Sequence, residues 1–349
     1  MKSLKNIAYS LSAGLVVASL GMANSSPLHA QSGVDLLDPA VLEAARAEGR
    51  VTIYGAQSQA LLEATAAAFR EAVPGIEVGI IRAASSTLAN RYMSEVEAGV
   101  FEADVLNSAN LGIYVDNPDM WMELTADLIP TLADWPESEV HGIYLNSSQG
   151  PQLIGYNNQM ISEDEAPKTW LDLLDPKYQG RGMFVDPRSS NTYMNWANQM
   201  YEAYGAEYLE GIRAQNFVLV EGGSQGAQQV AAGASLVVFP PSFAHIQPLI
   251  AQGAPLGHNY PAAHSDIAAM GPQHSWGIPT TSPNPNAARV FMTWLLTDAA
   301  QEVNCGANAA SVKLTDSEIC PPPFPNFIPA DQVISSERTD ELLGYLGLQ

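Results

Sequence analysis

The chain has 349 residues, of which 46% are hydrophobic and 15% charged, a balance that excludes disordered and collagen-like chains. Its 15 Lys+Arg stand against 37 Asp+Glu, a formal net charge of −22. So acidic a surface repels phosphate backbones and anionic lipid, so no nucleic-acid partner is expected.

The first thirty residues differ from the rest. Lys2 and Lys5 precede an apolar run over 11–23, and Leu28-His29-Ala30 ends on a small residue. That three-part pattern predicts a cleavable signal peptide over 1–30 and a periplasmic destination. The run is shorter than the roughly 20 apolar residues a spanning helix needs.

The remaining chain alternates strand and helix. VTIYG (51–55), IEVGII (76–81) and ADVLN (103–107) read as strands, with helices over 60–73 and 86–99 between them. Further strands are predicted at 152–158, 182–187, 217–221 and 235–240. Helices are predicted over 167–181, 189–205 and 286–304, and in GSQGAQQVAAG. This order predicts an α/β fold with mostly parallel sheets under helices. Two such units without a flexible linker predict two lobes joined by crossing strands. Cys305 and Cys320, the only cysteines, are expected to form a disulfide in an oxidising compartment, stabilising by roughly 3 kcal/mol.

In open parallel sheets ligands bind beyond the carboxyl ends of the strands. The residues there are Gln57 and Ser58; Arg82, Ser85, Ser86 and Thr87; and Ser108 and Asn110. In the second unit they are Arg188, Ser189, Ser190, Asn191 and Thr192; Ser224 and Gln225; and Ser242 and Phe243. Hydroxyls, amides and two arginines, with few acids, predict an anionic guest. Two of these loops also open helices, whose free N–H groups and dipole favour anions.

Other chemistries are thinner. Gly222-Gly223-Ser224-Gln225-Gly226 matches the nucleophile-elbow pattern, with Asp266 and His274 as possible triad partners, but no oxyanion motif precedes it. No H-E-x-x-H, Walker A or G-x-G-x-x-G sequence occurs, so no cofactor is expected.

PKTWLDLLDPKYQGR (167–181), ADVLNSAN, LIGYNNQM, QVAAGASLVV and NPNAARVFMTWLLTDAAQEVN occur in order along most of the chain. Together they resemble the periplasmic solute-binding proteins of bacterial ABC importers, in the ferric-iron-binding branch. The resemblance implies a type II periplasmic-binding fold: two α/β lobes, two crossing strands and an interlobe cleft. It implies lobe one over 31–145 with 270–311 and lobe two over 146–269 with 312–349. It also implies a membrane permease as partner, action as a monomer, and no catalysis. Ferric-binding members place a His in the first loop, an acid after the A-D-V strand and a Tyr pair in the second lobe. Here those positions correspond to Ser58, Ala109 and Ser242-Phe243, and no Tyr-Tyr pair exists in the chain. A hard ferric ion needs anionic oxygen ligands. The sequence therefore predicts a receptor for a small organic anion (a phosphate ester, phosphonate or carboxylate), with a ferric or other metal receptor and a secreted serine hydrolase as alternatives.

Overall fold

The computed structural model describes residues 33–349, apart from 261–264, 266, 307–309, 315–319, 321–322 and 325. The expected signal peptide lies outside the described residues. The first lobe opens with α1 (Pro39–Glu48), β1 (Arg50–Gly55), α2 (Gln59–Ala72), β2 (Glu77–Arg82), α3 (Ser85–Glu97), β3 (Val105–Ser108), a short α4 (Gly112–Val115) and β4 (Leu145–Gln149). The second contains β5 (Gly155–Asn157), β6 (Gly182–Val185), α5 (Asn191–Tyr204), α6 (Ala206–Ala214), β7 (Val218–Val220), α7 (Gly223–Ala231), β8 (Val237–Phe239), α8 (Phe243–Ala251) and β9 (Leu256–His258). The chain then returns through β10 (Met270–Gly271) to β11 (Gln273–Gly277), α9 (Pro285–Leu295), α10 (Asp298–Gly306) and β12 (Ala310–Ser311), before β13 (Ile328–Pro329) and α11 (Ser336–Leu346).

Local chemistry sets these boundaries. Asp38 caps α1 by accepting from the Ala40 N–H, Pro39 sits in its first turn, and Gly49 ends it in the left-handed region. In α2, Leu62, Ala66 and Phe69 recur at helical spacing and are buried. The single late helix expected over 286–304 is two helices. Thr297 breaks it: its hydroxyl donates to the Trp294 carbonyl and accepts from the Ala300 N–H, closing one helix and opening the next.

The first sheet has the order β12-β4-β11-β3-β1-β2, the second β7-β6-β8-β5-β9. Neither is mostly parallel, which corrects the sequence expectation. Only β1 with β2 and β3, and β6 with β7 and β8, run parallel. Strands that arrive by crossing between lobes, β11 beside β3 and β5 beside β8, enter antiparallel. Each lobe has its own aromatic core. Phe69, Phe291 and Trp294 pack edge to face in the first, with Phe69 at 5.2 Å from each partner ring. Phe184 stacks on Phe239 at 5.0 Å in the second, beside Trp196.

The lobes meet where the chain crosses. β4 belongs to the first sheet, so the chain leaves that lobe only after Gln149. There the Gly150 N–H donates to the Pro272 carbonyl (2.8 Å) and the Gln152 N–H to that of Met270 (2.8 Å). Gly271 is glycine because a Cβ there would collide with the Gly150 carbonyl. A third connection runs alongside: β13 pairs parallel with β10, forming a C-terminal strap across the junction. Cys305 and Cys320 are disulfide-bonded, with Cα atoms 5.0 Å apart.

Candidate functional site

Two adjoining cavities lie between the lobes and share Pro272. The outer one, of about 440 Å³, takes Ser85, Ser86 and Asn110 from the first lobe and Asn191 and Thr192 from the second. Gln273 and the strap residues Asp331, Val333 and Ile334 close its remaining side. The inner one, of about 60 Å³, is lined by Gln57, Ser58, Ser148 and Gln149 on one side, Ser242 on the other, and His274. Another cavity of about 400 Å³, against Lys313 and Asp298, shares no lining residue with these two.

Helix starts position most of the lining. α3 begins after Ala84 and α5 after Ser190, and neither N-cap side chain satisfies a first-turn N–H. Both helices therefore leave backbone donors, and the positive end of their dipoles, beside the outer cavity. Ser85 is occupied by accepting from the Ala109 N–H (3.1 Å), which fastens α3 to the end of β3. Asn110 accepts from the Gly112 N–H (3.1 Å). α2 and α8, beside the inner cavity, are capped instead. Ser58 accepts from the Leu61 N–H. The Ser242 N–H donates to Nδ1 of His245 (3.0 Å), which leaves that ring its proton on Nε2 when neutral.

The charge pattern is sparse. Asp331 is the one acidic or basic chain among the residues lining the outer cavity, and burial raises its carboxyl above the usual range. Tyr144, on the loop before β4, is raised first by burial and then by the charge of Asp331. Desolvation of the half-buried His274 ring pushes it down to about 4, so it is a neutral imidazole at ordinary pH. The Gln57 side-chain amide donates to the Ser148 hydroxyl (3.4 Å), while its side-chain Oε1 is buried with no hydrogen-bond partner among the described residues.

The cavities gather only part of the expected set. Gln57, Ser58, Ser85, Ser86, Asn110, Asn191, Thr192 and Ser242 line them. The two arginines expected beside them do not line either cavity. Arg82 donates from Nε to the Gln57 carbonyl (3.2 Å). Arg188 forks onto Asp186 (2.6 Å from Nη2) and donates to the Leu348 carbonyl (3.0 Å), so its guanidinium ties the strap's end to its own lobe. Thr87, Ser189 and Ser190 are exposed outside the cavities; Ser189 donates to the Asp186 carbonyl. Ser108 is buried and accepts from the Asn110 N–H. Phe243 is a core residue beside the His258 and Tyr260 rings. Gln225 accepts from the Glu221 N–H, and neither it nor Ser224 reaches either cavity.

The nucleophile-elbow reading does not assemble. Ser224 is exposed, while His274 is half-buried on β11 in the other lobe's sheet and lines the inner cavity. Asp266 lies outside the described residues. Among the described residues no group of three or more His, Cys, Asp and Glu is placed to hold a metal ion.

Sequence reasoning did not place Ser148, Gln149, Gln273 or Asp331 in the cleft, and raised His274 only as a triad partner. They sit on the crossing strands and the strap rather than at parallel-strand ends. The available signal was polar: LNSSQ and QHSWG are strands in which Asn146, Ser147, Ser148, Gln149, Gln273 and Ser275 are buried.

Residues 64–307 match the family model of bacterial extracellular solute-binding proteins. The chain is 24% identical over 273 residues to an Fe(3+)-binding periplasmic protein of Serratia marcescens, covering 75% of this chain and 78% of that one. It superposes on the substrate binding protein of an ABC transporter from Agrobacterium tumefaciens with a TM-score of 0.68, at 14% identity, covering 86% of this chain and 94% of the other. It also superposes on the periplasmic binding protein AfuA of Actinobacillus pleuropneumoniae, solved with fructose-6-phosphate bound. That match has a TM-score of 0.57 at 19% identity and covers 75% and 84% of the two chains. These structural matches give the type II periplasmic-binding fold.

Proposed function

Because the chain belongs to the bacterial extracellular solute-binding proteins, a family whose members serving ABC importers hand their cargo to a membrane permease, we propose that its interlobe cleft captures a small organic anion in the periplasm. A phosphate ester, a phosphonate or a carboxylate is the class of cargo. One observation carries this reading: the side-chain-uncapped N-termini of α3 and α5 border one cavity from opposite lobes. Each supplies orphan N–H donors and half of a positive pole. An anion between them contacts both lobes at once, which is what makes a ligand favour the closed state.

The iron-binding relative points to a second cargo, a ferric ion. The donor chemistry favours the anion. Hydroxyls, amides and backbone N–H groups hold negative charge, and the outer cavity's lining residues include one carboxylate and no phenol. The AfuA match supports an anionic cargo on the same fold. Among the described residues no helix is long and apolar enough to cross a membrane. A thermal-shift and calorimetric screen of phosphates, phosphonates, carboxylates and ferric citrate tests the reading, since a bound ligand raises apparent stability. Saturable binding of at least one organic anion is expected. A response confined to ferric salts would replace the anion with iron.

A further inference from the structure

Asp331 is out of place in an anion site. It follows β13 on the C-terminal strap, which is held on both sides. The Ile328 N–H donates to the Ala269 carbonyl (2.8 Å) and the Ala330 N–H to the Gly271 carbonyl (2.9 Å). The Gln332 carbonyl accepts from the side-chain amides of Asn191 (3.1 Å) and Asn195 (3.0 Å) on α5. The carboxylate between these anchors therefore has a fixed position beside the first turn of α5. It lines the same cavity as Ser85, Ser86 and Thr192. Apart from its own backbone N–H, no described residue donates a hydrogen bond to it and no cation pairs with it.

We propose that Asp331 receives an ammonium group of the solute, so that the cargo is an amino-bearing anion, its acidic end at the helix N-termini and its amino end on this carboxylate. The inference rests on reading the cleft as an anion site. A half-desolvated carboxylate repels a purely anionic guest unless that guest brings its own positive charge. A hydroxyl would supply a hydrogen bond but leave the charge uncompensated. An ammonium supplies both charge and three donors. A metal ion would need further anionic ligands, and no group of three acidic, His or Cys side chains is assembled among the described residues. Ser86 and Thr192 on opposite walls leave the anionic end at the dipoles, so the two poles of the cavity match the two ends of a zwitterion.

Calorimetry on the whole protein with matched pairs tests this: phosphoethanolamine against ethyl phosphate, β-alanine against propionate, and inorganic phosphate alone. In at least one pair the amino member is expected to bind about tenfold tighter or more. Asp331→Asn, which keeps the shape, should reduce that preference to about twofold or less and tighten inorganic phosphate several-fold. An unchanged melting temperature certifies the variant's fold. Anion binding with no amino preference, or a preference that survives Asp331→Asn, overturns the role of Asp331 and leaves the anion reading standing. Failure of every anion to bind removes both.

Discussion

The outer and inner cavities of the cleft are built from the same residue types but handle charge in opposite ways. The outer one has helix starts without side-chain caps on two walls and a carboxylate on the third. In the inner one Ser58 and Ser242 are spent on capping, and His274 is a half-buried neutral ring. Backbone donors left open beside solvent can hold a charged group, because little desolvation is added on binding. Donors deep in the junction are already paired, since an unpaired buried polar group costs about 1–3 kcal/mol. On the proposed reading, recognition of charge belongs to the outer cavity, and the inner one contributes shape and the joint between lobes.

The strongest way to break that division is to reverse the pole of the outer cavity. Ser86→Asp with Thr192→Asp puts a carboxylate in the first turn of each helix. Acids there favour the helices by about 0.3–1 kcal/mol each, so the fold should hold or gain slightly. An anionic solute should lose about 100-fold or more in affinity by like-charge repulsion, read by calorimetry. A ferric cargo would instead bind tighter, which makes the sign of the change decisive.

The inner cavity is separable by pH. His274 and His245 are both pushed down by burial to about 4, against 6.5 for an exposed ring. Between those values the unfolded chain takes up more protons than the folded one. Stability is thus full above pH 6.5 and falls as the pH drops to about 4, by up to roughly 3 kcal/mol for each ring. Urea unfolding at neutral and mildly acid pH should show that loss, and His274→Gln should remove about half of it. An equal loss in the variant would mean that other groups govern the acid limb.

The lobes were legible because their strands and helices follow strong periodicity: β1, β2, β3, α2 and α3 fall within a few residues of where apolar spacing puts them. The junction was not. β4 and β11 bury Asn146, Ser147, Ser148 and Ser275, so hydropathy reads them as loop. Their polar groups are paired across the sheet, as in the 2.6 Å bond from the Ser275 hydroxyl to the Asn146 side-chain Oδ1, and only the third dimension reveals that. The rule that ligands meet strand ends found both helix starts but could not reach the strap, because Asp331 lies far along the chain and arrives by β10–β13 pairing.

A smaller effect sharpens the line between the cavities. Ser148→Ala removes the acceptor that holds the Gln57 amide. Loss of one neutral hydrogen bond at a buried site is worth about 1 kcal/mol. A corresponding drop in stability is expected, with solute affinity reduced by about fivefold or less. A loss as large as that from the paired acidic substitutions would place the charged end of the solute in the inner cavity.

Arg188 marks the lower end of the scale. The sequence puts it among the strand-end residues expected to hold an anion, with Ser189 and Ser190 beside it at a helix start. Its fork is instead filled by Asp186, whose carboxyl it holds below the usual range through that hydrogen bond, and by the Leu348 carbonyl at the end of the strap. Arg188→Ala should leave solute affinity within about twofold, since no donor to the cavity is lost. It should loosen the C-terminal segment beyond α11, seen as faster amide exchange there. A large loss of affinity without that loosening would mean that the guanidinium leaves Asp186 when the cleft closes, and would return the arginine to the site.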